Sequence, residues 1–266
     1  MHKLSTSMLF LISSCLLLSV ALCHRRINDG DNIYLIPEGK HTETLIYIHG
    51  LGQNASIMYD QFFANPNTMI ARNTTKVVLL SAHQVPVTIL KGKVKNSWFD
   101  ISTFNVSNVA ELAGAFNFTE IVQSSLIIKK AMTEEIAILG DSTKLFIGGF
   151  SQGCFMSLYC SLTYDKPIGG IIGSGGYLVP IIDMHPANAH LPMFLTHGTA
   201  DNIIYFDLAE QIYRARLSGV SHEITKVYEE GVGHIITDTM QARARQWLFA
   251  HTETKVNDGR FLPIFA

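Results

Sequence analysis

Three residue types on this chain could together carry out nucleophilic acyl transfer. They are a serine in GGFSQG (Ser151), an aspartate in HGTAD (Asp201) and a histidine in GVGH (His234). A serine hydroxyl at its ordinary pKa is a poor nucleophile. It attacks a carbonyl carbon when a histidine takes its proton, an acid orients that histidine, and N–H groups receive the developing oxyanion. Gly149-Phe-Ser151-Gln-Gly153 matches G-x-S-x-G. The pentapeptide alone is modest evidence, but its flanks sharpen it. The apolar run KLFI precedes it and the helical pattern MSLYCSL follows. That context predicts Ser151 on a strained strand-to-helix turn, with glycines where a Cβ has no room and a helix N-terminus facing the nascent charge.

Order and placement select the partners. The acid and the histidine are expected after the serine, at the C-terminal ends of parallel strands. Asp165, Asp183, Asp201, Asp207 and Asp238 all follow Ser151. Only Asp201 closely follows a strand candidate, in PMFLTHGTAD; Asp207 falls inside the next helix and Asp183 in an irregular loop. Among the histidines, His222 precedes its strand, and His251 lies at the end of the last helix. His234 follows a strand within a Gly-rich loop. His197 ends a strand but precedes the acid, and is read as structural. For the oxyanion, one donor is expected from the backbone N–H of Gln152. The other is expected from Leu51, in the loop Gly50-Leu51-Gly52-Gln53 directly after a strand.

These positions need a framework, and the pattern provides one. Strands are predicted over Ile33–Ile36, Thr44–His49, Lys76–Ala82, Lys144–Phe150, Pro167–Ser174, Pro192–His197 and Glu223–Tyr228. Most are continuous apolar runs, as expected for strands covered on both faces. Helices are predicted over Ile57–Ala64, Thr119–Leu139, Gln152–Thr163, Tyr205–Leu217 and Thr237–Ala250. In the second of these, Ile121, Ile128, Met132, Ile136 and Leu139 recur at helical spacing. Such alternation implies an α/β fold, a mostly parallel sheet with helices on both faces. With 266 residues, 47% hydrophobic, the chain can bury one large core, and a single domain over residues 24–266 is expected. A formal net charge of -2 provides no basic stripe for nucleic acid. Two segments, Gln84–Phe118 and Gly175–Leu191, read as long irregular loops of the kind that cap a site.

The N-terminus departs from the average composition. His2 and Lys3 precede the apolar Met8–Cys23, and Arg25 and Arg26 follow it. That arrangement fits a signal peptide over residues 1–23, with a retained anchor as the alternative. It predicts a secreted or endolysosomal protein with no membrane span once the leader is removed. Asn73, Asn105 and Asn117 then become glycosylation candidates. Asn54, beside the oxyanion loop, is expected to be unmodified or to carry a glycan pointing away. Beyond the leader, Cys154 and Cys160 are expected as buried, unpaired thiols.

HGLGQNAS, SAHQVPVT, NSWFDI, GGFSQG, HGTAD and GVGH occur here in one order. In that, the chain from about Thr44 to Ala250 resembles the acyl-protein thioesterase/lysophospholipase family of carboxylesterases. The resemblance implies the α/β-hydrolase fold, Ser151, Asp201 and His234 as triad, and Leu51 and Gln152 as oxyanion donors. It also implies an acyl-chain groove bordered by the segment that holds Pro86, Val87, Trp98 and Phe99. Family activities are hydrolysis of protein thioesters, lysophospholipids and small carboxylic esters, without metal or cofactor. The expected partner is therefore a small-molecule or lipid acyl ester or thioester. The alternative is an inactive lipid-binding protein on the same fold. Two departures stand out: familiar members are cytosolic, whereas this chain begins with a leader-like segment, and Cys154 stands where the family usually has glycine.

Overall fold

The computed structural model describes residues 24–106, 108–178, 183–217 and 223–253. The expected leader and the position of His222 lie outside the described residues. Eight strands form the main sheet: β1 (His24–Asp29), β2 (Asn32–Pro37), β3 (Glu43–Ile48), β4 (Thr75–Leu80), β7 (Leu145–Phe150), β8 (Gly170–Ser174), β9 (Met193–Gly198) and β10 (Ile224–Glu229). Their spatial order is β1-β2-β4-β3-β7-β8-β9-β10. From β4 to β10 every pairing is parallel, and β2 and β1 join antiparallel at the edge. A separate hairpin, β5 (Gln84–Val87) with β6 (Lys93–Asn96), stands in the segment expected to be irregular. The helices are α1 (Ala55–Met58, continued by a π turn over Tyr59–Phe63), α2 (Val109–Ala115), α3 (Phe118–Leu139), α4 (Gln152–Leu162), α5 (Phe206–Leu217) and α6 (Asp238–Thr252).

The period-2 geometry of the strands divides the apolar residues between two layers. Leu45, Tyr47, Val77, Leu79 and Phe194 meet α1 and α6 through Met58, Phe63, Trp247 and Leu248. Ile46, Ile48, Val78, Ile147 and Leu195 face the other way, onto Ile128 and Met132 of α3, Phe155 of α4 and Ile212 of α5. Both faces being covered explains why β3 is buried along its whole length. Helix ends follow local chemistry. Asn117 caps α3 by accepting from the Glu120 N–H, Gly140 closes it in the left-handed conformation, and Thr237 caps α6 by accepting from the Met240 N–H.

β1 escapes a pattern-based reading because HRRIND has no apolar alternation and is almost entirely exposed. Its signal is the turn instead. Gly30, at φ 57°, lies in the two-residue connection that closes Asp29 onto Asn32.

The strand-to-helix corner after β7 comes closest to its neighbours. A Cβ on Gly149 would lie 2.5 Å from the Gly153 backbone and 2.7 Å from the Ile48 carbonyl oxygen of β3. A Cβ on Gly153 would collide with that same carbonyl. The clashing atoms are backbone in a central strand, so they cannot swing aside. Gly153→Ala is therefore expected to lower the unfolding free energy by about 3 kcal/mol or to prevent folding. Urea denaturation checks this, and an unchanged midpoint would contradict it.

Candidate active site

Four segments leave the C-terminal ends of strands and converge there: Gly50–Gln53 after β3, Ser151 after β7, Asp201 after β9 and His234 after β10. Ser151 has φ 54° and ψ -120°, a conformation that non-glycine residues avoid and that costs about 1–3 kcal/mol. The turn is held on both sides. The Ser151 N–H donates to the Ser174 carbonyl at 2.9 Å, and its own carbonyl accepts from the Cys154 N–H at 2.9 Å.

His234 Nε2 lies 2.9 Å from Ser151 Oγ, and His234 Nδ1 lies 2.7 Å from Asp201 Oδ2. The Phe150 ring sits 4.8 Å from the imidazole, centroid to centroid. Asp201 is buried and its two oxygens are fully engaged. Oδ1 accepts the N–H groups of Ile203 and Ile204, each at 2.9 Å. Oδ2 faces His234 and also His197 Nε2, at 3.2 Å. Burial on its own would raise the Asp201 pKa. The hydrogen bonds from His197 and His234, the nearby His234 charge and the Ile204 N–H prevail and hold it well below the usual carboxylate range.

Beside the serine, Gly50 lies so near that a Cβ there would be 3.2 Å from Ser151 Cβ. Its peptide is pinned. The Gly50 N–H donates to Gln53 Oε1 at 2.9 Å, and the Gly50 carbonyl accepts from the Gln53 N–H at 3.1 Å. His49 Nδ1 is 2.7 Å from the same carbonyl. Because His49 Nε2 accepts the Ala82 N–H at 2.9 Å, the proton of the neutral ring belongs on Nδ1, which donates to Gly50. Fixing that carbonyl fixes the Leu51 N–H, which belongs to the same planar unit. Among the described residues, neither the Leu51 nor the Gln152 N–H has a hydrogen-bond acceptor.

The sequence reading assigned Gln152 its backbone alone; the side chain is equally engaged. Its Oε1 accepts the Trp98 N–H at 2.8 Å, and its Nε2 donates to the Phe99 carbonyl at 2.7 Å and to Ser97 Oγ at 3.0 Å. Trp98 Nε1 donates to the His49 carbonyl at 3.0 Å. Of the four residues expected at a groove, only Pro86 is exposed; Val87, Trp98 and Phe99 are buried. Trp98 and Phe99 brace the corner from inside, Phe99 edge-on against Phe116 and Phe155. His49 and the Gln152 amide went unread because a lone histidine or glutamine shows no partner in sequence.

The model of the phospholipase/carboxylesterase family matches residues 33–252. The chain belongs to that family. It is similar to an acyl-protein thioesterase 1 of Yarrowia lipolytica, 35% identical over 173 residues, which cover 63% of this chain and 73% of the relative. A lysophospholipase-like protein 1 of Mus musculus is 24% identical over 80% of this chain and 88% of its own. Among solved structures, Arabidopsis thaliana SOBER1 superposes with a TM-score of 0.68 at 22% identity, covering 79% of this chain and 99% of that one. A Zea mays acyl-protein thioesterase 2 gives 0.67 at 19%, covering 84% and 100%. These two likenesses concern the fold, which is that of the α/β-hydrolases.

The comparisons overturn the expected secretory location. The matching relatives from Yarrowia lipolytica, Schizosaccharomyces pombe and Debaryomyces hansenii are acyl-protein thioesterases, a family whose familiar members are cytosolic, and this points against secretion. Expected glycans lose their support with it. Asn73, Asn105 and Asn117 are exposed, and Asn54 is half-buried, with its side chain accepting the Ile57 N–H at the start of α1.

Burial pushes the His49 pKa down from 6.5 to about 4. The folded protein thus binds fewer protons than the unfolded chain between these values. Stability from this group is complete above pH 6.5 and lost as pH falls towards 4, a loss of up to about 3 kcal/mol. Urea denaturation at pH 4.5 and 7 should show that drop in the wild type and a smaller one in His49→Asn. Equal drops would remove His49 as the cause.

Proposed function

We propose that this hydrolase cleaves carboxylic esters or thioesters of acyl chains through an acyl-enzyme on Ser151. The observation that carries the reading is His234, bridging Ser151 Oγ at 2.9 Å and Asp201 Oδ2 at 2.7 Å. Both distances suit proton transfer on one side and orientation on the other.

In the first step Ser151 Oγ bonds to the acyl carbon while its proton passes to His234 Nε2. The carbonyl electron pair moves onto oxygen, where the N–H groups of Leu51 and Gln152 receive it. Asp201 keeps the imidazole upright and stabilises its cation. Collapse of the adduct expels the alcohol or thiol, which takes the proton from His234. Water then attacks the acyl-enzyme, gives a proton to His234 and frees the acid, and Ser151 recovers its hydrogen. Support for acyl substrates comes from the family and from relatives named acyl-protein thioesterase and lysophospholipase-like protein.

The test is turnover of p-nitrophenyl esters from acetate to palmitate, a palmitoyl thioester and a lysophosphatidylcholine, with Ser151→Ala alongside. The wild type is expected to hydrolyse at least one series and to be labelled by a fluorophosphonate. Ser151→Ala should lose both, with kcat falling on the order of 10⁴-fold or more. Wild-type-like turnover by Ser151→Ala would refute the mechanism. Neither turnover nor labelling in the wild type would turn the reading to an inactive lipid-binding protein.

A further inference from the structure

His197 takes no part in the steps above, and its place in sequence suggests only a buried histidine at a strand end. Its surroundings are more specific. The side chain is fully enclosed at the end of β9, with Nε2 2.8 Å from the Ile204 carbonyl and 3.2 Å from Asp201 Oδ2. Both neighbours are acceptors, so Nε2 carries a proton and shares it between them. Nδ1 is buried without a hydrogen-bond partner. A proton there would be an orphaned buried donor, whereas a bare nitrogen is only an unused acceptor. The ring is therefore the neutral Nε2–H tautomer.

From this geometry we infer that His197 is a positioning residue for the reaction, acting through Asp201 to set the proton affinity of His234. The inference rests on the proposed triad. Asp201 receives four donors: two backbone N–H groups on Oδ1 and two imidazoles on Oδ2. A carboxylate offers about four acceptor positions, so its capacity is filled. The His197 N–H holds Oδ2 in one rotamer and also draws on the charge that His234 feels. Without it, Asp201 would attract the His234 proton more strongly.

Ionisable groups on the adjoining β10 and α5 are bonded elsewhere. Tyr228, opposite His197 on β10, is hydrogen-bonded to Glu210 of α5. That carboxylate also binds Arg214 and Lys226. Tyr213 of α5 donates to the Gly176 carbonyl at 2.5 Å. On the α5 side the ring meets Phe206, 5.9 Å away. Among the described residues, the charged group within ion-pair distance of His197 is Asp201.

The experiment compares pH profiles of kcat/KM for the wild type, His197→Phe and His197→Gln. Rates are expressed per active site counted by fluorophosphonate, so misfolded molecules do not contribute. His197→Phe keeps a ring but no donor. It should move the acid limb up by about one pH unit and lower kcat/KM per site at pH 6 roughly tenfold. His197→Gln, whose amide can donate, should move the limb back towards the wild type. An unmoved limb in His197→Phe, with only fewer active molecules, would reduce His197 to a structural residue and overturn the inference. If the variants do not fold, ¹⁵N NMR of histidine-labelled wild type decides. A His197 protonated at Nε2 alone supports the inference, and one protonated at Nδ1 overturns it. Loss of labelling or turnover failing to follow Ser151→Ala would instead defeat the triad reading itself.

Discussion

The contact on which the site depends is between two backbones. Where β7 turns into α4, Gly149 and Gly153 let the corner press against the Ile48 carbonyl of β3 at separations no side chain would permit. That approach does two things together. It seats the N-terminus of α4, with the Gln152 N–H, beside the loop that carries Leu51. It also accompanies the strained backbone of Ser151, at φ 54° and ψ -120°, where the strand ends and the helix begins. The strain at Ser151 is borne by the sheet, because relaxing it would mean parting β7 from β3.

Around that corner, polar side chains replace the regularity that loops lack. The Gln152 amide reaches across to Ser97, Trp98 and Phe99, while His49 and Gln53 clamp the Gly50 peptide. The clamps share members: Trp98 binds the His49 carbonyl and is itself bound by Gln152. Buried hydrogen bonds of this kind are costly to leave half-made, so the two loops beside Ser151 are held as one unit. The β5–β6 hairpin joins the same unit, since the Gly52 N–H donates to the Asn96 carbonyl at 2.8 Å.

How much of this was legible in sequence follows from the range of the forces involved. The parallel strands were readable because burial on two faces writes continuous apolar runs, and the main helices because they keep a 3.6 period. Ser151, Asp201 and His234 could be picked out because each follows a strand in a stated order, and the structure brings those three side chains within hydrogen-bond reach of one another. What the pattern does not show is set by contacts distant in the chain. β1 is a strand because β2 offers it an edge, not because HRRIND prefers one. The burial of Trp98 and Phe99 beside Ser124 of α3 and Gln152 and Phe155 of α4 is likewise invisible in NSWFDI alone. That His197 meets Asp201 can be seen only once that aspartate is placed.

Cys154 and Cys160 are both buried in α4 and unpaired, and burial pushes each thiol up to about 12. Any turnover on a thioester would set a free thiol loose at the mouth of the site. Exchange chemistry requires a thiolate or a disulfide within reach, and these two sulfurs present neither. Among the described residues, therefore, no thiol stands ready to exchange with such a product, and none offers the surrounding redox poise a route to Ser151.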